Sequence, residues 1–232
     1  MHVRRTFALG GATVALALVL GFSTASLAAG TRGTTVSVRI EGKNRTLLPA
    51  TVVHTHSGAI TKGGTPNGVC PATSGAGALD VATHHKWNGS YGSLGLSVTQ
   101  ILGETHSFTS SYYWSVWVNN RYAPTGVCGL KLHRGEQLLF AAVSDKGSPF
   151  PLVLTGPSHA TTGHPFNLKV SYFNAKGVSK PLAGARVQGS GFSAVSNKQG
   201  VVSLAAQHTG KLKYNASDKG YIRAATLTVR VS

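Results

Sequence analysis

From Thr35 to Val231 the apolar residues come in short runs cut by Gly, Pro, Asn and Ser, and almost every run has the length and alternation of a β-strand. Thr35-Val36-Ser37-Val38-Arg39-Ile40 places Val36, Val38 and Ile40 on one face. Strands are expected again at 50–54, 96–102, 112–118, 126–132 and 137–143. A tight Asn119-Asn120 turn leads into Arg121-Tyr122-Ala123, because asparagine tolerates positive φ. One stretch departs from this pattern. Ser74 as a cap followed by Ala76, Ala78-Leu79, Val81-Ala82 and His85 carries helical spacing. The polar stretch Ser144-Asp145-Lys146-Gly147-Ser148-Pro149 divides the chain into blocks at 34–145 and 149–232. In the second block, runs at 152–154, 166–173, 185–188, 201–205, 211–215 and 225–231 follow at sandwich spacing, and an antiparallel β-sandwich is expected. The fold class is mostly β, an α+β block followed by an all-β one.

The N-terminal segment sets the expected compartment. Arg4-Arg5 precedes an apolar stretch ending in Val14-Ala15-Leu16-Ala17-Leu18-Val19-Leu20, and Ser26-Leu27-Ala28 fits a small-x-small cleavage site. That order is a secretory signal peptide over residues 1–28, and its core is short of a spanning helix. The expectation is a secreted or surface-associated monomer of 204 residues with no transmembrane segment after cleavage. The mature chain carries 20 Lys/Arg against 6 Asp/Glu, a net of +14, and residues 149–232 hold 10 of the basic residues with only Asp218 opposing them. The charge is spread singly and comes with no nucleic-acid motif, which argues against a specific nucleic-acid partner and for an anionic cell-envelope polymer or a basic but inert surface. Cys70 and Cys128, the two cysteines, are expected to form a disulfide outside the cytoplasm.

Catalysis finds little support. Glu41, Asp80, Glu104, Glu136, Asp145 and Asp218 are scattered, and neither a Gly-x-Ser-x-Gly elbow nor a His-Glu-x-x-His helix occurs. No metal site is read from the sequence. His54 and His56 are the candidates for one, since residues two apart on a strand share a side, with a turn or a solvated face as the alternative. The aromatic strand is more informative. Tyr112, Trp114, Val116 and Val118 form one face, suited to the core, and Tyr113, Ser115, Trp117 and Asn119 the other. Tyr113, Trp117, Asn119 and Tyr122 are therefore the candidate ligand-binding residues, for a sugar or another small planar ligand. The alternative is that Trp117 packs under the loop holding Cys70.

The residues Tyr113-Trp114-Ser115-Val116-Trp117-Val118-Asn119-Asn120-Arg121-Tyr122-Ala123-Pro124, then Gly126-Val127 and Leu130 to Leu138, with Ala76-Gly77-Ala78-Leu79-Asp80 upstream, resemble the domain of unknown function 4430 family. Its relatives include the C-terminal domain of the cobalamin carriers transcobalamin and intrinsic factor. The resemblance spans about residues 34–143 and implies a β-grasp-like domain with one main helix; it makes cobalamin a ligand to consider, although no cofactor is expected. Asn120 in place of the hairpin Gly, Glu136 in place of Asp, and the two cysteines depart from the pattern. The second block, through Pro181-Leu182-Ala183-Gly184-Ala185-Arg186-Val187 and Ser196-Asn197-Lys198-Gln199-Gly200, resembles the immunoglobulin-like or prealbumin-like domains of bacterial surface proteins. Together these readings lead to a non-catalytic secreted or cell-surface binding or attachment protein. A cobalamin-type small-molecule carrier is the alternative, and an unrecognised hydrolase the third reading.

Overall fold

The computed structural model describes residues 33–147 and 149–232. The expected signal peptide over residues 1–28, with its cleavage site, lies outside them. In the first block, β1 (Thr35–Glu41) and β2 (Thr46–His54) form an antiparallel hairpin, followed by α1 (Gly75–Ala82) and the small sheet of β3 (Trp87–Gly92), β4 (Gly95–Ile101) and β5 (Glu104–Thr105). The aromatic strand β6 (Tyr112–Val118), the short β7 (Arg121–Tyr122) and β8 (Gln137–Ser144) complete the block. The main sheet has the order β2-β1-β8-β6-β7, with first and last strands parallel side by side. That central parallel pair, with one helix packed across the sheet, is the β-grasp arrangement. Val36, Val38 and Ile40 meet Leu138, Phe140, Trp114 and Val116 beneath Ala78 and Leu79 of α1 to form the core.

Three local expectations need correction. Residues 126–132 are not a strand. Val127 and Leu130 offer their carbonyls to the N–H groups of Ala76 and Gly75, both at 3.0 Å, and Cys128 is bonded to Cys70. The segment thus caps the start of α1 with main-chain acceptors, a role assigned from sequence to the Ser74 side chain. The Ser74 hydroxyl makes no capping bond. The helix also stops earlier than expected, because His84 and His85 both take positive φ, the left-handed turn that ends helices. Asp80 secures this end. It accepts the Trp87 indole N–H at 2.7 Å and pairs with His85 Nδ1 at 2.6 Å.

The second block comprises β9 (Leu152–Thr155), β10 (His159–Ala160), β11 (Pro165–Phe173), β12 (Ser179–Pro181), β13 (Arg186–Gly189), β14 (Phe192–Val195), β15 (Val201–Ala205), β16 (Gly210–Ser217) and β17 (Leu227–Val231). One sheet runs β10-β17-β16-β13-β14; the other has β11 between β12 and β15, with β9 also on β11. Pairing is antiparallel except for two residues of β10 beside β17 and an isolated parallel bridge between Pro151 and Ile222. Leu168, Val170, Val187, Tyr214 and Val229 fill the space between the sheets. Their alternation along each strand is why the sequence pattern reads so clearly as a sandwich.

Candidate functional site

The two faces of β6 have different fates. Trp114 and Val116 enter the first core as expected. Tyr113 and Trp117, on the opposite face, join Leu139, Ala141 and Val143 of β8 and Ile222 of the second block in one apolar cluster. Trp117 is consequently only 4% exposed. It packs neither on open solvent nor under the Cys70 loop: it forms part of the seam between the two domains.

Polar groups continue the seam along β1. Arg39 and Glu41 point to the same outer face and are both buried. Glu41 accepts from Arg39 Nη1 at 2.9 Å, from Thr46 Oγ1 at 3.0 Å and from Arg223 Nε of the second domain at 3.0 Å. Arg39 Nη1 also donates to Arg223 O at 2.8 Å, and Arg223 Nη2 donates to Gly42 O at 2.6 Å. Burial pulls the Arg39 guanidinium below its ordinary value, and Glu41 opposes that pull. A buried ion pair adds little net stability, whereas each large apolar side chain removed from water contributes about 1.5–3 kcal/mol. The Trp117–Ile222 cluster therefore holds the seam together, and the ionic group fixes its register.

Beside this cluster the seam opens into a groove of about 370 Å³. Tyr113, Trp117 and Tyr122 wall it from the first domain, and Phe150, Phe173 and Asn174 from the second. Tyr122, 58% exposed, stands edge-on to Trp117 with ring centroids 5.6 Å apart. Its position follows from the turn, where Asn119 and Asn120 adopt φ of 50° and 63° and set Tyr122 opposite Trp117. Asn119 is occupied structurally, its Oδ1 accepting the Gln137 N–H at 3.0 Å; Asn120, not Asn119, lines the groove. Asn174 Oδ1 accepts the Lys176 and Val178 N–H groups, which leaves its amide N–H₂ as a donor. Flat aromatic walls with a few fixed polar groups suit a planar or amphipathic ligand. Sequence reasoning missed Phe150, Phe173 and Asn174 because they belong to the other block.

The histidines are dispersed. His54 Nδ1 meets Thr35 Oγ1 at 3.0 Å; His56 lies beyond the end of β2, exposed, with Nδ1 2.9 Å from Ser57 O. Among the described residues no three His, Cys, Asp or Glu gather as a metal centre would require. Glu104 was not singled out from sequence. It accepts the Lys43 N–H and faces His106 Nε2 at 2.7 Å. Partial burial works to raise its carboxyl, but the Lys43 amide and His106 outweigh that and hold it below the ordinary carboxylate value. A carboxylate lowered by folding stabilises the protein above its unfolded pKa, and that contribution disappears as pH falls through the folded value. Stability should therefore drop as pH is taken below 4.5, and Glu104→Gln should flatten that drop while costing about 1–2 kcal/mol at neutral pH. Urea unfolding of both forms between pH 3 and pH 7 checks this.

The fold and the seam define a mostly β protein of a β-grasp-like and a sandwich domain joined across an aromatic face. No family model matches the chain, and no curated protein matches it. Among solved structures, a candidate metal binding protein from Ruminococcus gnavus aligns at 13% identity and a TM-score of 0.34, over 48% of this chain and 97% of that one. A likeness at that level carries no argument about fold or function. No helix among the described residues is long and apolar enough to cross a membrane.

Proposed function

We propose that this chain is an exported, non-catalytic binding or attachment protein whose contact surface is the aromatic groove at the domain seam. The observation that carries the reading is the convergence of Tyr113, Trp117 and Tyr122 with Phe150, Phe173 and Asn174, from two separately folded blocks, on one concavity. The signal-like segment and the Cys70–Cys128 bond support an extracytoplasmic location. The excess positive charge supports attraction to an anionic envelope surface as a separate, salt-sensitive contribution. Kinship of the first domain with the domain of unknown function 4430 family belongs to the same proposal, with cobalamin as a ligand to test.

Trp117 is too deeply packed to serve as a probe of binding, so the variants of choice are Tyr122→Ala and Phe173→Ala. Each should weaken binding of a captured ligand about tenfold or more, as for central aromatic contacts, with the unfolding midpoint nearly unchanged for Tyr122→Ala. The measurement is titration of the mature chain against cobalamin, cell-wall glycans and anionic polymers. Binding untouched by both variants overturns the assignment.

A further inference from the structure

The β6 strand is an open sheet edge. On one side it pairs with β8 along its length, but on the other β7 covers only Trp117 and Val118. The phase of the ladder fixes which groups are left over. Asn119 donates to Gln137 O and Asp145 to Ser111 O, so odd-numbered residues bond β8, and Tyr112, Trp114 and Val116 turn their N–H and C=O outward. Val116 O is taken by the Ala123 N–H and Tyr112 O by the Ser110 hydroxyl. The outward main-chain groups of Trp114 have no partner among the described residues.

Facing this edge across a well of about 240 Å³ is β4, itself paired only to β3 except where β5 covers Gln100 and Ile101. Leu96, Val98, Trp114 and Val116 line the well, and Trp114, 6% exposed, has an indole N–H without a partner. Exposed apolar side chains crowd its rim, with Leu94 at 94%, Phe108 at 67%, and Tyr122. Such a concentration marks a contact surface. Tyr122 and Pro124 also border the seam groove, so the free edge runs between two wells on opposite faces of the sheet.

We infer that the occupant is an extended peptide strand of a partner protein, which adds to the β6 edge beside Trp114. Alternate side chains of an extended strand point to opposite faces, so one set enters the apolar well and the next the seam groove, while main-chain bonds to Trp114 supply register. The net +14 of the mature chain favours acidic residues flanking that strand. This rests on the reading of the seam groove as the contact surface and names the chemistry of what fills it.

The probe is a pool of nine-residue peptides, Asp-Thr-x-Thr-x-Thr-x-Thr-Asp with x drawn from Val, Ile, Leu and Phe, titrated into the mature chain. Saturable binding is expected, with slowed hydrogen exchange at the Trp114 and Val116 amides. N-methylation of alternate peptide nitrogens should weaken it at least tenfold, and so should Leu94→Ser, a surface change on the rim of the well that leaves the core and the seam groove intact. Absence of binding by every member, or binding indifferent to N-methylation, overturns the strand inference. If Leu94→Ser has no effect while Phe173→Ala abolishes capture of a non-peptide ligand, the groove stands and the strand falls. A concentration-dependent dimer that protects Trp114 without peptide would assign the edge to a second copy, and also overturns it.

Discussion

Glu41→Gln should destabilise the protein by about 3–5 kcal/mol, because it leaves the Arg39 guanidinium buried without its counter-charge. Glutamine keeps the shape of the side chain, so the loss reports the charge. Arg223→Met removes a partner that is partly exposed and leaves the Arg39–Glu41 pair intact; about 1–2 kcal/mol is expected. The triple change Arg39→Met, Glu41→Leu, Arg223→Met should recover most of the Glu41→Gln loss, since apolar packing replaces buried ionic groups at little net cost. Urea unfolding followed by tryptophan fluorescence checks all three, with Trp117 reporting from the seam itself. A Glu41→Gln loss below 1 kcal/mol would mean that water reaches Arg39 and that the seam is not closed there.

Removing the disulfide should have an effect of similar size. Cys70 and Cys128 are 58 residues apart, and cross-linking a loop of that length contributes about 4 kcal/mol by restricting the unfolded chain. A domain of ordinary stability has only about 5–15 kcal/mol to lose. In Cys70→Ser with Cys128→Ser, the earliest loss of protection should appear at Gly75 and Ala76, whose N–H groups depend on the carbonyls flanking Cys128. Hydrogen exchange before global unfolding is the check. Undiminished protection there would mean that packing, not the bond, holds the capping segment.

Much of the fold was legible because strand periodicity is local. Tyr112–Val118 and its Asn119-Asn120 turn fall where alternation and positive-φ tolerance place them. The Trp87–Gly92 strand was missed because Asn88, Gly89 and Gly92 argue for loop, and only pairing with β4 makes it a strand. The expected strand at 126–132 failed for a related reason. Its apolar residues serve the helix cap and the disulfide, a long-range constraint with no periodic trace.

For the candidate site, alternation correctly sorted β6 into two faces but could not say what covers the second. One signal was present. Leu138-Leu139-Phe140-Ala141-Ala142-Val143 is continuously apolar, the pattern of a strand buried on both sides. Where β6 borders that run its outer face is covered as well, and Trp117 beside Leu139 is accordingly buried, while the groove opens further along. That the second block joins this cluster through Ile222 follows only from how the two blocks meet.

The most direct test is the salt dependence of ligand capture by the wild-type mature chain and by Tyr122→Ala. Binding through the seam groove predicts saturation that persists at moderate salt and weakens about tenfold in the variant. Binding that fades as salt rises, and is equal in both proteins, would contradict the account and leave diffuse positive charge as the whole of the attraction.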